Sequence, residues 1–297
     1  KKSLESLKNV LRFHEHRYYV MNDPLISDFE YDTLYKQLEK LEKANPDWIT
    51  TDSPTQRVGS GLNEAFNKVQ HLVPMLSLEN SYNAEDLLDW DRKARELTGV
   101  DLIEYCVEPK FDGASISLIY ENDQLQRCAT RGDGVVGEDI TTNGRQIKSL
   151  PLHAPFSAYG IHQIEIRGEV LLTKEAFKKY NEQLAEQNLP PLANPRNAAS
   201  GSLRMKDPKD VARRNLEAFV YHVSDISIDH HTADKKLTTH AAMLEMLWQC
   251  GFRSPVAEKK VFKGIDDVIN FCYEFEQKRD TLPHEIDGMV IKVNELS

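Results

Sequence analysis

Two kinds of hydrophobic spacing divide this chain, and the change from one to the other limits the folds open to it. Up to residue 44 the apolar side chains recur three and four residues apart, with Leu4, Leu7, Val10, Leu11 and Tyr18 in one run and Tyr31, Leu34, Tyr35, Leu38 and Leu41 in the next. Asn22-Asp23-Pro24 interrupts the first run, Ser27 with Glu30 three residues on is a capping-box signature, and Asn45-Pro46 ends the second. A helical hairpin is predicted. From residue 102 the texture changes to short β-rich runs at 102–111, 114–120, 124–131, 162–172, 216–223 and 286–293, with helices near 83–97, 174–187, 239–250 and 265–279. The turn formers of "TTDSPTQRVGSGLN" (50–63) place the join near Leu62. The expected plan is a small α-helical unit over 1–62 and a larger α+β unit over 63–297, without a regular β-α-β alternation.

A chain of 297 residues suits one large unit plus a small one. Lys and Arg total 37 against 47 for Asp and Glu, a formal net charge of −10, which argues against holding nucleic acid by bulk positive charge; a polyanion must meet a local patch. The four cysteines, Cys106, Cys128, Cys250 and Cys272, are widely spaced with no C-x-x-C pair, so neither a zinc site nor a disulfide framework is suggested and reduced thiols fit. No apolar run approaches the roughly 18–20 residues of a membrane span. Lys1–Leu11 reads as helix rather than signal peptide, so an intracellular chain without a membrane partner is expected.

The stretch "VEPKFDGASISLIYE" (107–121) sets a lysine between two acids. A period of two sends Glu108, Lys110 and Asp112 to one face and Val107, Pro109 and Phe111 to the other. Asp112-Gly113 then reads as the turn of a β-hairpin leading into Ala114–Tyr120. Such a tip is ordinarily a solvated set of paired charges. For Lys110 to act as a nucleophile its amine must be neutral, yet an unperturbed lysine of pKa about 10.4 is neutral in roughly 0.04% of molecules at pH 7. Arg131 and Lys292 are cations that would favour the neutral form if close, whereas Glu108 and Asp112 would oppose it. Asp-Gly recurs in "EIDGMVIKV" (285–293), read as a second, similar turn.

Other stretches admit both a chemical and an ordinary reading. "RGDGVVGED" (131–139) has three glycines but neither P-loop nor dinucleotide order, and a plain turn is the ordinary expectation. "EIRGEV" (165–170) aligns Glu165, Arg167 and Glu169 on one strand face; Glu169 could accept from a ribose hydroxyl pair, and a surface salt-bridge face is the default. "NPRNAASGSLR" (194–204) offers Arg196 and Arg204 to phosphate oxygens from a Gly/Ser-containing loop, or caps a helix with solvated arginines. Asp28, Tyr31 and Asp32 share a helix face where two acids and a ring could hold a flat cation, although acids also suit helix N-termini and a tyrosine on a stripe usually packs.

Together these stretches resemble the N-terminal part of bacterial NAD-dependent DNA ligases, collinearly across essentially the whole chain. The carrying segments are "YYVMNDPLISDFEYD" (18–32), "DSPTQRVG" (52–59), "VPMLSLEN" (73–80), "EPKFDG" (108–113), "ATRGDGVVGEDIT" (129–141), "RGEV" (167–170), "NPRNAASGSLR" (194–204) and "IDGMVIKV" (286–293). Lys-x-Asp-Gly alone would also fit ATP-using ligases and capping enzymes. The helical unit with Tyr18, Asp28, Tyr31 and Asp32 is what resembles the NAD class.

The resemblance implies a covalent nucleotidyltransferase (ATP-grasp-like) adenylation domain with antiparallel sheets, and a small helical domain that closes over it. It implies a DNA ligase (NAD+) acting in bacterial DNA replication and repair, cytoplasmic and nucleoid-associated, as a monomer. Lys110 would attack NAD to give lysyl-AMP and release nicotinamide mononucleotide, the first step of sealing a 5′-phosphate to a 3′-hydroxyl in nicked duplex DNA. Glu108 would lie by the adenine, Arg131 and Glu169 by the ribose, and Lys292 at the α-phosphate. Ser77 and Leu78 would line the nucleotide pocket, and Asp112 would position Lys110 or a metal. Tyr18, Tyr19, Asp28, Tyr31 and Asp32 would grip the nicotinamide riboside side, with Tyr19 departing from the histidine of some members. Arg196 and Arg204 would reach DNA phosphate or the AMP phosphate. Magnesium or manganese is implied without a readable ligand set. Zinc belongs to C-terminal parts of the family, with an oligonucleotide-binding fold, helix-hairpin-helix repeats and a BRCT domain, that this sequence lacks after "KVNELS". An adenylation fragment that seals nicks poorly is expected. The alternatives are a non-catalytic nucleotide- or nick-binding module and an ATP-using ligase fragment.

Overall fold

The leucines that recur along the first 44 residues close a helical hairpin in a computed structural model, which describes residues 2–21, 23–57, 65–228 and 237–296. Helix α1 (Lys2–Glu15) packs on α2 (Asp28–Ala44) through buried Leu4, Leu11 and Leu38, while Val10 of the expected stripe faces outward. The Ser27 side chain accepts from the Glu30 N–H and the Glu30 carboxylate accepts from Ser27 N, so the capping box forms as expected. Such a cap stabilises a helix by about 1 kcal/mol. The first helix does not run on regularly, because after Glu15 one widened π turn spans His16–Val20. Apolar spacing carries no mark of such a turn, which shifts the side chains after it around the helix axis. The join near Leu62 lies outside the described residues.

Beyond it come strand β1 (Lys68–Gln70), helix α3 (Ala84–Thr98) and strands β2 (Glu104–Phe111), β3 (Ala114–Glu121), β4 (Gln124–Thr130) and β5 (Val136–Glu138). The short α4 (Thr141–Gly144) leads to β6 (Ile161–Leu171), α5 (Lys174–Glu186), α6 (Pro195–Leu203), α7 (Pro208–Arg213) and β7 (Glu217–Ile228). Helix α8 (His240–Gln249), strand β8 (Lys260–Lys263), helix α9 (Ile265–Glu276) and strand β9 (Ile286–Val293) follow. Two antiparallel sheets result, ordered β8-β2-β9 and β4-β3-β6-β7, beside the small pair β1-β5. No helix among the described residues is long and apolar enough to cross a membrane.

The expected hairpin between β2 and β3 is not there. These strands belong to different sheets, and Asp112-Gly113 is the crossing between them. Gly113 lies so close to β6 that a Cβ would sit 2.3 Å from the Val170 carbonyl oxygen, while Asp112 N donates to Glu285 O at 3.0 Å. The partner of β2 is β9, about 180 residues away in sequence, with Cys106 opposite Lys292, Glu108 opposite Val290 and Lys110 opposite Gly288. The second Asp-Gly is therefore not a turn either, since it lies inside β9. Between Lys110 and Phe111 the register shifts by one residue, leaving Asp287 as an extra residue on β9.

Each sheet turns an apolar face outward to helices. Tyr105 and Val107 pack with Ile265 and Val268 of α9 and with Trp90 of α3, while Ile116, Leu118, Ile164 and Ile166 build the larger core with Met246 and Leu247 of α8. The polar faces of the two sheets meet across a cleft where Lys292 of β9 donates to the Tyr221 carbonyl oxygen of β7 at 3.0 Å.

Candidate active site

Alternation on β2 and β9 puts Cys106, Glu108, Lys110 and Lys292 on the cleft face. At its rim the Lys110 ammonium donates to Asp287 at 2.5 Å, the acid projected by the register shift; its side chain is 40% exposed, open to a ligand. Asp112, expected to position Lys110 or a metal, pairs with Arg196, with Nη1 3.1 Å from Oδ1. Hydrogen bonding from Lys110 holds the Asp287 carboxyl below its ordinary range. Sequence reading passed over Asp287; the signal was the repeated Asp-Gly, which marks the pairing of β2 with β9.

Deeper on the same face, buried Glu108 accepts from Lys292, whose ammonium also donates to the Tyr221 carbonyl oxygen at 3.0 Å and lies 3.1 Å from His240 Nε2. Burial pushes the Glu108 carboxyl up, but Lys292 and His240 outweigh it and hold the group below its ordinary range. Lys292 is thus engaged deep in the cleft rather than beside Lys110. Neither His240 nor Tyr221 was singled out in the sequence, because the first tops a helix and the second sits in an unremarkable strand.

On the opposing sheet Glu165, Arg167 and Glu169 share one face of β6 as alternation predicts, yet all three are buried rather than forming a surface ionic face. Ser115 Oγ donates to Glu169 at 3.1 Å, and burial raises the Glu169 carboxyl to about 7. Glu165 accepts from Val73 N at 3.2 Å, and the Arg167 guanidinium donates to the Val73 and Pro74 carbonyls. These two side chains hold Val73 and Pro74, at the start of the segment that carries Ser77 and Leu78. Arg131 Nη2 donates to Ser77 Oγ at 2.8 Å, and Met75 N bonds Gly134 O at 2.7 Å. The glycine-rich stretch is indeed a turn, with Gly134 at φ +94, and it braces that segment. Arg196 lies on helix α6 rather than a loop, and Arg204, its C-cap, pairs with Glu138 at 2.6 Å, away from Lys110.

In the helical unit Tyr18, Tyr19, Asp28, Tyr31 and Asp32 line one cavity of about 300 Å³ together with Lys148 of the larger unit. The π turn presents Tyr18 and Tyr19 with ring centroids 4.7 Å apart. Tyr31 Oη donates to Glu15 at 3.1 Å, which is itself paired with Arg57 at 3.2 Å. Lys148 lines this cavity and Lys110 does not. Among the described residues, the hydrogen bonds that join the helical unit to the rest of the chain fall on Gln124, Arg145–Leu150 and Arg253. These contacts dock the helical unit against the larger one on the side of Arg145–Leu150.

Among the described residues no group of three or more His, Cys, Asp and Glu stands together as a metal cage. Asp112 and Asp287 are already engaged by Arg196 and Lys110.

A family described as "NAD-dependent DNA ligase adenylation domain" matches residues 63–297, and one described as "DNA ligase-like, N-terminal NAD+-binding domain" matches residues 1–59. A DNA ligase of Persephonella marina is 58% identical over 297 residues, covering 99% of this chain and 42% of that protein. A DNA ligase of Aquifex aeolicus is 52% identical over 295 residues, covering 99% of this chain and 40% of that protein. The chain thus spans about two-fifths of the length of these relatives. A mycobacterial DNA ligase D structure complexed with ATP and MES is only distantly alike, with TM-score 0.38 and 13% identity over 75% of this chain and 55% of that one. With both units matched end to end, this chain belongs to the NAD-dependent DNA ligase family, as its N-terminal NAD+-binding and adenylation domains.

Proposed function

We propose that this chain carries out the adenylation step of an NAD-dependent DNA ligase, with residues 1–62 binding the nicotinamide mononucleotide half and residues 63–297 binding AMP. The observation that carries this reading is Lys110, exposed on the polar face of its sheet and held at 2.5 Å by the Asp287 carboxylate. With one proton given up to solvent, the Nζ lone pair attacks the α-phosphorus of NAD while Asp287 orients the amine, and a second proton leaves to water as the phosphoramidate forms. A P–N bond forms, the bond from that phosphorus to the bridging oxygen breaks, and nicotinamide mononucleotide leaves with the electron pair on its phosphate.

Glu108 and Lys292 form the base end of the cleft, an acceptor and a donor fixed side by side and suited to the edge of adenine. Lys292 acts on the α-phosphate only by leaving Glu108. Glu169 and Arg131 take the ribose, and Ser77 with Leu78 cover it. Arg196, tethered to Asp112 beside the nucleophile, suits a phosphate; Arg204 suits the DNA backbone. Transfer of AMP to a 5′-phosphate and sealing of nicked duplex DNA follow in the full-length ligase, with magnesium or manganese supplied on the substrate phosphates. Asp28, Asp32 and the three tyrosines hold the pyridinium cation by charge and ring contact.

Intact mass after incubation with NAD and magnesium tests this, with ATP and Lys110→Ala in parallel. The expected result is one added AMP from NAD, none from ATP and none in the variant. Labelling from ATP instead would indicate an ATP-using ligase, and no labelling despite NAD binding would indicate a non-catalytic nucleotide module.

A further inference from the structure

The π turn His16–Val20 has two sides. Tyr18 and Tyr19 line the cage proposed for the pyridinium. His16 and Val20, at the two ends of the turn, bear instead on the larger unit. The His16 ring lies edge-on to Trp248 of α8 with centroids 6.3 Å apart, and a Cβ on Gly251 would stand 3.6 Å from it. Buried Val20 accepts at its carbonyl oxygen from Arg253 Nε at 3.4 Å.

Arg253 continues this contact inward. Its buried guanidinium stands 5.3 Å from the centre of the Phe219 ring and donates through Nη1 to Glu217 of β7. The same Glu217 oxygen lies 2.8 Å from His284 Nε2, two residues ahead of β9. Phe219 packs on Phe111 with centroids 4.5 Å apart, and the His284 ring meets both edge-on, at 5.1 and 6.3 Å. Phe111 follows Lys110 on β2 and is the residue at which the β2-β9 register shifts, leaving Asp287 opposite the nucleophile as the extra residue. Burying a guanidinium is unfavourable unless its donors are met, so the fork holds Val20 and Glu217 in one geometry. One buried cation thus touches the seat of the helical unit and the aromatic layer beside the strand pair of Lys110 and Asp287.

We propose that Arg253 is a positioning residue for adenylation: through Glu217, His284 and the Phe111–Phe219 pair it ties the seat of the π turn to the register shift that sets Asp287 against Lys110. The inference rests on the function proposed above and adds to it a link between the two units. The two arrangements are the turn seated on Arg253 and the turn lifted from it, and only the seated one gives the guanidinium the Val20 carbonyl. A ligand gripped by Tyr18 and Tyr19 shifts the Lys110–Asp287 pair to the extent that it binds the two arrangements unequally.

The test is amide exchange of the whole chain with and without nicotinamide mononucleotide, beside single-turnover AMP labelling from NAD. Arg253→Lys keeps a charge for Glu217 but has no fork to reach Val20 as well. In the parent the mononucleotide should change exchange both at residues 16–32 and at residues 284–288. In Arg253→Lys the first response should remain and the second should vanish. Labelling at saturating NAD should fall about fivefold in that variant while the half-saturating NAD concentration stays within about twofold. Glu217→Gln, which leaves Arg253 in place and weakens its inner contact, should shift both readouts in the same direction. A merely structural Arg253 would raise exchange at 284–288 and leave the response to the mononucleotide intact, and that result in both variants would overturn the proposal. So would equal labelling rates in the parent and both variants, and so would a parent response confined to 16–32. Labelling of the parent by NAD in that last case would leave the adenylation reading standing; no response in either segment and no labelling would remove both.

Discussion

Lys110 and Asp287 form an ion pair, with Nζ 2.5 Å from Oδ2. Asp287→Asn keeps the shape and removes the charge that holds and orients the amine, so the rate of AMP labelling should fall by about tenfold or more. Single-turnover mass measurements check this, and an unchanged rate would show that Asp287 does not orient the amine. Glu169 gives a pH dependence whose sign can be worked out. Burial pushes its carboxyl up to about 7, so between its ordinary value near about 4.3 and that value the folded chain keeps a proton that the unfolded chain has released. Its contribution to stability is full below the lower value and is lost as pH rises through about 7. Glu169→Gln removes this decline, and urea midpoints followed from about pH 4 to pH 8 should be flatter in the variant than in the parent. A parallel decline in both would locate the effect elsewhere.

At the scale of elements, the crossing at Gly113 tests the two-sheet plan. Gly113→Ala places a methyl against the Val170 carbonyl and the Leu171 side chain, and the forced shift should cost about 1–3 kcal/mol in urea unfolding. A hairpin tip, the arrangement that the sequence suggested, would accept alanine far more cheaply. That contrast also shows where reading a sequence stops. Alternation correctly placed Glu108 with Lys110, and Glu165 with Glu169, because the side-chain period of a strand is local. It could not pair β2 with β9, because strand partnership depends on which apolar faces are covered by α3 and α9 rather than on the intervening residues. For the same reason Asp112 was favoured over Asp287: both follow an aliphatic or aromatic residue and precede a glycine, and only the register shift distinguishes them. The acidic and aromatic side chains of the cage were legible from their i, i+3, i+4 spacing on α2. The π turn that brings Tyr18 and Tyr19 to them was not, and neither was Lys148, which reaches the cage from another unit.

For the molecule as a whole, Arg57 is the joint. It is buried, pairs with Glu15 and donates to three carbonyls of the larger unit. Arg57→Ala leaves Glu15 buried without its partner, a change worth about 3–5 kcal/mol when such a pair is broken. The expected outcome is faster amide exchange over residues 145–150 and α1 while the β2-β9 core keeps its protection; uniform loss of protection would show that the two units unfold together. The pairing of β2 with β9 carries a different consequence, one of timing. Lys110 is separated from Asp287 by 177 residues, so a chain emerging from the ribosome displays Lys110 long before the strand that pairs with it has been made. Contacts that distant form late, once loop closure has been met by other pairings. The reactivity proposed for Lys110 is therefore withheld from the nascent chain by the order of synthesis itself, and arrives only with β9.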